Sequence, residues 1–122
     1  MPQHLEDAHQ IALIEWAEWT GKQIYPELKW LYHIPNGGKR GKAEAARLKR
    51  MGVKAGVSDL FLPVPRGGYH GLYIEMKAKG GRLSKEQKEF IPFAKSQGYC
   101  VEVKWTYDGA RELIEWYLAL PK

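Results

Sequence analysis

The chain has 122 residues, the size of one domain, and its 44% hydrophobic and 27% charged residues argue against a disordered chain. No apolar run reaches the roughly 20 residues of a membrane span, no secretory signal is visible, and the single cysteine, Cys100, excludes a disulfide framework and a cysteine-rich zinc site. The net charge is +5, and its placement is more informative than its size. We therefore expect one soluble, cytoplasmic domain over residues 1–122.

The first element that the pattern predicts is an amphipathic helix over residues 5–19, which Gly21 ends. Its apolar positions recur at helical spacing: Ala8, Ile11, Ala12, Trp16 and Trp19. Residues 28–33 are short and aromatic, which indicates a strand or an extended segment. Residues 34–41 contain one proline and three glycines and are predicted to form a loop.

A short basic helix is predicted over residues 42–51, ending at Gly52. Its inward positions are Ala43, Ala46 and Leu48. Residues 39–54 contain seven basic residues and one acidic residue, whereas the rest of the chain has 12 basic and 13 acidic residues. A basic patch on an otherwise balanced domain is typical of nucleic-acid binding, although a solvated helix face explains the charge alone equally well.

A β-hairpin is predicted next. Residues 60–64 form a short apolar run, a glycine-rich turn follows, and residues 72–78 alternate strictly between apolar and polar. The two faces of this second strand are Leu72, Ile74 and Met76 on one side and Tyr73, Glu75 and Lys77 on the other.

The last third of the chain predicts a helix, a strand and a helix. Ser84 and Gln87 match a capping box at the start of the first of these helices, Pro92 predicts a kink or an early break, and Gly98 ends it. Residues 99–105 alternate as a strand. Asp108 is the expected N-cap of a final helix that runs to Leu120. Its inward positions are Leu113, Ile114, Tyr117 and Leu118. This order predicts an α/β fold with a small mixed sheet flanked by helices.

Two carboxylates meet at the predicted hairpin. Glu75 and Lys77 share one face of their strand, and Asp59 opens the strand that pairs with it. Close carboxylates repel each other unless a cation lies between them, and oxygen ligands at this spacing suit Mg²⁺. A lone Glu-x-Lys is more often an ordinary polar face of a sheet. Here the upstream basic segment and a second basic cluster at residues 79–88 favour a functional site.

This arrangement resembles the core of the PD-(D/E)xK nuclease superfamily. The segments YHIPNGGKRG, AARLKRMGVKAGVSDLFLPVP, GLYIEMKAKGGRLSKEQKEF and QGYCVEV, in this order, resemble a VRR-NUC domain, the virus-type replication-repair nuclease. The resemblance extends from about Leu5 to Leu118. It implies a restriction-endonuclease-like α/β core and a divalent-metal-dependent DNA endonuclease that uses Mg²⁺ or Mn²⁺. One departure is Ser58, which stands where the family has a proline.

The resemblance also implies a role for individual residues at the hairpin. Asp59, Glu75 and the backbone carbonyl of Met76 would bind the metal, and Lys77 would be the catalytic lysine. Gln87 matches a glutamine that follows the Glu-x-Lys strand in the family, in addition to its place in the capping box.

The family further implies an acidic residue on the first helix. Glu6, followed by Gln10, matches its E-x-x-x-Q pattern best. Glu15 is the alternative, and an ordinary solvated position is the preferred interpretation of that residue.

The expected partner is DNA. The candidate contact residues are Asn36, Lys39, Arg40, Arg47, Lys54 and Arg82. Small members of the family resemble Holliday-junction resolvases, which implies selectivity for branched DNA, a homodimer and a phage or prophage repair or recombination setting. Trp116 or Leu120 of the last helix is a candidate for the dimer interface. The alternatives are a non-catalytic DNA-binding module that keeps the nuclease fold, and a scaffold protein with a basic surface.

Overall fold

The computed structural model describes residues 5–35 and 41–122, with the backbone alone for residues 5 and 6. The helices are α1 (Leu5–Trp16), α2 (Lys22–Ile24), α3 (Lys42–Arg50), α4 (Lys85–Ser96) and α5 (Tyr107–Leu118), and the strands are β1 (Tyr32–His33), β2 (Leu60–Leu62), β3 (Leu72–Met76) and β4 (Cys100–Lys104). A π-helical turn, Ala17–Gly21, joins α1 to α2, and a 3-10 helix, Pro26–Trp30, leads to β1. No helix in these ranges is long and apolar enough to cross a membrane.

The four strands form one mixed sheet in the order β1-β2-β3-β4. The β1–β2 and β2–β3 pairs are antiparallel, and β4 is parallel to β3. Leu60 lies opposite Ile74 in the β2–β3 pair, which confirms the predicted hairpin. Because two parallel strands need a crossover connection, α4 runs between β3 and β4 on one face of the sheet. The predicted α/β fold with helices around a small mixed sheet is therefore confirmed.

A single hydrophobic core lies between the sheet and the pair α1 and α5. Its fully buried apolar sheet residues alternate along both strands of the hairpin: Leu60, Leu62, Leu72 and Ile74. The sequence pattern predicted this alternation only for the second strand. From α5 it receives Leu113, Ile114, Tyr117 and Leu118, also as predicted.

The opposite face of the sheet is aromatic. The Tyr73 ring lies 4.4 Å from Phe61 and 5.4 Å from Tyr99, measured between ring centroids. Phe90 of α4 packs edge-on against Tyr73 at 5.1 Å. This contact places the first turns of α4 over β3, where the polar residues of that strand lie.

The predicted apolar face of α1 is wrong at three positions. Ile11 is 57% exposed and Trp19 is 74% exposed, and Ala8 is also exposed. The buried stripe instead runs through Leu13 and Ala17. Two residues correspond to about 200° around a helix, so this stripe lies almost opposite to Ile11 and Trp19. The predicted periodicity therefore follows exposed positions, whereas Leu13 and Ala17 belong to the core.

The basic helix α3 has no buried residue, contrary to the predicted inward face. Ala43 and Ala46 are exposed, and Leu48 is half-buried. Charged residues surround the helix on most sides, so its apolar stripe is too narrow to pack a second layer. Almost the whole of α3 is therefore presented to solvent.

Two helix ends also differ from the sequence predictions. Thr106, rather than Asp108, is the N-cap of α5, and its hydroxyl accepts a hydrogen bond from the Gly109 amide at 3.0 Å. The helix α4 continues through Pro92 to Ser96, so the early break, one of the two predicted effects of this proline, does not occur. After Pro92, the Gln97 and Tyr99 amides still donate to the Phe93 and Ala94 carbonyls and close the last turns of this helix.

The buried hydroxyl of Tyr117 gives a testable prediction. It donates a hydrogen bond to the Val64 carbonyl at 2.6 Å, and burial raises the pKa of Tyr117 to about 12. We expect Tyr117→Phe to lower the free energy of unfolding by about 1–3 kcal/mol at pH 8, because a buried carbonyl loses its donor. Tyr69→Phe, at a partly exposed tyrosine, is the control and should have almost no effect.

The same bond predicts a dependence on alkaline pH. The unfolded tyrosine loses its proton near pH 10, whereas folded Tyr117 keeps it to about pH 12, so its contribution to stability is complete below pH 10 and is lost as the pH rises to 12. Urea unfolding at pH 8 and pH 11 should show a smaller loss of stability for Tyr117→Phe than for the wild type. An equal loss would contradict the assignment.

Candidate active site at the open end of the hairpin

Asp59 is held at both its backbone and its side chain. It directly precedes β2, and its carbonyl accepts a hydrogen bond from the Ile34 amide at 2.7 Å. Its carboxylate oxygen Oδ2 accepts one from the Met76 amide, also at 2.7 Å. The residue therefore joins the chain segment that follows β1 to the end of β3, and its orientation is fixed from two sides.

The Met76 amide is available because β2 begins only at Leu60, whereas the continued register would place Ser58 opposite Met76. The Lys77 amide donates to the Lys104 carbonyl of β4, so the preceding residue, Met76, directs its backbone groups toward β2. The amide and carbonyl of one strand residue point to the same side. The Met76 carbonyl, a predicted metal ligand, thus faces the side on which Asp59 lies.

Glu75 is a buried carboxylate, with 1% of its surface exposed. Its Oε2 atom accepts a hydrogen bond from Gln87 Nε2 at 3.1 Å. Gln87 Oε1 accepts from the Ser84 amide at 2.8 Å, and the Ser84 hydroxyl accepts from the Gln87 amide at 3.1 Å. The predicted capping box is therefore confirmed, and the same glutamine also contacts the predicted metal ligand.

The register brings the predicted site residues together. Leu60 lies opposite Ile74, so the next position along each strand places Asp59 opposite Glu75. Lys77 lies two residues beyond Glu75 and is half-buried. By the alternation of a strand, its side chain starts from the same face as that of Glu75. The open end of the hairpin therefore holds two carboxylates, a lysine and a backbone carbonyl.

This set of donors fits a magnesium or manganese ion. Mg²⁺ takes oxygen ligands, uses one or two protein carboxylates and keeps several waters. Asp59, Glu75 and the Met76 carbonyl supply three oxygen donors of this kind. Among the residues that the structure describes there is no group of three or more histidine, cysteine or acidic side chains that could hold a metal. The arrangement thus suits a partly hydrated ion rather than a cage made of protein alone.

The structure describes the side chain of only one of the two acidic candidates on the first helix. Glu15 is exposed, which agrees with its interpretation as a solvated position. The Glu6 side chain lies outside the described part of the chain, so its predicted role stays a prediction.

The predicted DNA contacts lie on the surface where they are described. Arg47, Lys54 and Arg82 are all exposed. Arg47 contacts both carboxylate oxygens of Glu44, at 3.1 and 3.3 Å, which partly neutralises it. The remaining candidates, Asn36, Lys39 and Arg40, lie outside the described ranges.

His33, to which the sequence pattern assigns no role, contacts the backbone of Asp59. Its Nδ1 atom lies 2.9 Å from the Asp59 carbonyl and 3.2 Å from Gln10 Nε2 of α1. The signal that could have identified it is its place in the segment YHIPNGGKRG, two residues before the glycine-rich loop begins at Pro35.

Gly56 explains how the chain reaches Asp59. Its φ of +94° belongs to the left-handed region, and a Cβ atom at this position would lie 2.5 Å from the Glu86 backbone. Only glycine lets this loop pack so closely against the first turn of α4. The loop that carries Asp59 and the helix that carries Gln87 are thus in direct contact.

A mixed sheet with an aspartate at the start of one strand and Glu-x-Lys on the next, flanked by helices, defines a nuclease fold of the PD-(D/E)xK type. The sequence profile of the VRR-NUC domain matches residues 5–104. A solved structure described as a VRR_NUC domain protein is 35% identical, with a TM-score of 0.80 over 96% of this chain and 90% of that one. The chain therefore belongs to the VRR-NUC family of nuclease domains, as the resemblance implied. No functionally curated protein matches it.

The two contacts of Gln87 can be separated by substitution. Gln87→Glu keeps an oxygen for the Ser84 amide but places a second carboxylate against Glu75. We expect it to lower the free energy of unfolding by about 1–3 kcal/mol at pH 7 in EDTA. Ser84→Ala, which removes the cap hydroxyl and keeps the contact with Glu75, should cost about 0.5–2 kcal/mol.

The pH dependence distinguishes the two variants. Two carboxyl groups in contact raise the pKa of the pair in the folded state, so stability in Gln87→Glu is lost as the pH rises from 4.5 to 7. The loss in Ser84→Ala should not depend on pH. Chemical denaturation at both pH values measures the difference, and a loss in Gln87→Glu that is the same at both would contradict the contact with Glu75.

Proposed function

We propose that this domain is a divalent-metal-dependent endonuclease that hydrolyses phosphodiester bonds in branched DNA. The observation that carries the proposal is the position of Asp59 opposite Glu75, with Lys77 on the same face, in a chain of the VRR-NUC family. Paired carboxylates on adjacent strands with a neighbouring lysine are suited to phosphoryl chemistry, in which negative charge develops on oxygen.

Asp59, Glu75 and the Met76 carbonyl are the proposed ligands of Mg²⁺ or Mn²⁺. A bound ion of this type polarises a phosphate and supplies a water of lowered pKa. Met76 and Gln87 donate hydrogen bonds to the two carboxylates, at 2.7 and 3.1 Å, and hold them in one orientation. Carboxylate ligands oriented in this way lose no freedom when an ion binds.

Lys77 is the proposed catalytic lysine. It is half-buried, and its side chain leaves the strand on the face that carries Glu75. In this position it can orient the attacking water or neutralise charge on the phosphate as the bond breaks. A positive charge in a partly desolvated site stabilises such charge more strongly than it would in water.

The DNA contacts that we propose are made to the phosphate backbone. Arg47, Lys54 and Arg82 are exposed, and α3 carries basic residues on an open surface. Together with the predicted contacts Asn36, Lys39 and Arg40 they supply positive charge and hydrogen-bond donors. Contacts of this kind position the duplex without reading its sequence, which is consistent with selection by DNA structure.

The cleavage activity gives the main test. Labelled duplex, flap and four-way-junction DNA would be incubated with Mg²⁺, Mn²⁺ or EDTA and analysed on gels. We expect metal-dependent cutting, preferentially of the branched substrates. Lys77→Ala and Glu75→Gln should each reduce the rate by about a hundredfold or more, because each removes charge from the reacting centre. Lys22→Ala, at an exposed lysine of α2 outside both basic clusters, is the control and should cut nearly as the wild type does.

Two results would contradict the proposal. Binding without cutting in every metal would favour a non-catalytic DNA-binding module that keeps the fold. Unchanged cutting by Lys77→Ala and Glu75→Gln would place the active site elsewhere.

We also propose that the domain acts as a homodimer, because symmetric cutting of a four-way junction calls for two sites related by a two-fold axis. Trp116 on α5 is 50% exposed and is available for an interface. Leu120 is less available, since it packs on its own chain against Gly67. The interface that we propose is therefore centred on Trp116.

Light scattering at micromolar concentration tests the dimer. We expect twice the chain mass of 14.0 kDa for the wild type and a monomer for Trp116→Arg. Trp19→Arg, at the 74% exposed tryptophan of the π-helical turn, is the matched control and should remain a dimer. A monomeric wild type that still cuts junctions would contradict the proposal, and a monomer for Trp19→Arg alone would move the interface to the π-helical turn after α1.

A further inference from the structure

His33 contacts the backbone of a proposed metal ligand from outside the site. It lies on β1, and its Nδ1 atom is 2.9 Å from the Asp59 carbonyl and 3.2 Å from the side-chain amide of Gln10. We propose that His33 and Gln10 are positioning residues, which fix the backbone of Asp59 and align α1 with the metal site. This inference rests on the proposed function, because it concerns the same site.

The contact with Asp59 determines the protonation of the imidazole. A carbonyl oxygen can only accept a hydrogen bond, so Nδ1 carries the proton and donates it. The same carbonyl also accepts from the Ile34 amide at 2.7 Å. Two donors therefore use both lone pairs of the carbonyl and hold the Asp59 peptide in one orientation.

The orientation of the Gln10 amide follows from that of the imidazole. The two ends of a glutamine amide have the same shape and are distinguished by their hydrogen bonds. The Gln10 atom placed 3.2 Å from Nδ1 is Nε2; because Nδ1 is a donor, we assign the amide the other way round, with its oxygen sharing the single Nδ1 proton that the Asp59 carbonyl also accepts. Gln10 lies one helical turn after Glu6, so this contact ties the turn of α1 that carries Glu6 to the backbone of Asp59.

The consequence of these contacts is a carboxylate whose peptide and side chain are both held by hydrogen bonds. The carbonyl of Asp59 is fixed by β1 and the segment after it, and its Oδ2 atom is fixed by the Met76 amide. Groups that orient metal ligands in this way typically change metal affinity or activity by 10–100-fold when they are removed. His33 is exposed, so its substitution is tolerated by the fold more easily than a change at Glu75.

Three substitutions at His33 separate positioning from other roles. An asparagine places its amide nitrogen where Nδ1 lies, a glutamine places it nearer to Nε2, and an alanine supplies neither. We expect the affinity for Mn²⁺, measured by calorimetry on the protein without DNA, to fall about tenfold in His33→Ala and His33→Gln. His33→Asn should stay within about threefold of the wild type. Gln10→Ala should reduce the affinity in the same direction.

His9 supplies a matched control. Its Nδ1 atom accepts a hydrogen bond from the Tyr107 amide at 2.9 Å, so it is also a histidine bonded to backbone, but at the start of α5. His9→Ala should leave the affinity for Mn²⁺ unchanged. Cleavage rates of the His33 variants should follow the order of their Mn²⁺ affinities.

Three results would contradict the inference. Wild-type affinity in all three His33 variants would overturn the inference and leave the proposed nuclease intact. Equal loss in His33→Asn and His33→Ala would also overturn it, since it would indicate that the imidazole acts through Nε2. A wild type that neither binds Mn²⁺ nor cuts DNA would overturn both the inference and the proposed function.

Discussion

The hydrogen bond from the Met76 amide to the Asp59 carboxylate is the contact on which the site depends. It lies just before β2 begins, beyond the last pair of the β2–β3 ladder, so a side chain takes the place of a backbone carbonyl as the partner of this amide. An amide at this depth needs a partner. Because the partner is a carboxylate, this bond also fixes the Asp59 side chain at the end of the hairpin where Glu75 and Lys77 lie.

The second requirement is that Glu75 be buried without being isolated. A carboxylate that is 1% exposed is stable in the folded state only if hydrogen bonds or charges replace its water. Gln87 supplies one such bond from α4, and the contact of Gly56 with Glu86 brings that helix against the loop before Asp59. The position of α4 and the positions of the two carboxylates therefore depend on each other. A helix moved away from the sheet would leave Glu75 without the amide of Gln87.

The elements with strong local signals could be predicted from the sequence. The apolar face of β3, the apolar face of α5 and the Ser84–Gln87 capping box are all found in the structure, although Glu75 on the polar face of β3 is buried as well. The pairing of Asp59 with Glu75 followed from the hairpin. The apolar face of α1 could not be read correctly, since large exposed side chains outweighed the buried Leu13 and Ala17.

Contacts between distant segments were beyond sequence reasoning. His33 meets Asp59 across the β1–β2 pair, and Gln10 reaches His33 from another element, so neither has a periodic pattern. The N-cap of α5 was also predicted wrongly. Thr106 and Asp108 are both good capping residues, and only the geometry of the turn selects one of them.

The double use of Gln87 has a consequence for the motions of the domain. Helix ends open and close more readily than helix interiors, and the first turn of α4 is tied to Glu75 through this one side chain. Any solute that binds Glu75 in its present orientation favours the closed turn, and by reciprocity the closed turn favours that solute. Binding at the end of the hairpin is thus linked to hydrogen exchange of the amides around Gln87. The exchange rates at the start of α4 therefore indicate whether the site is occupied.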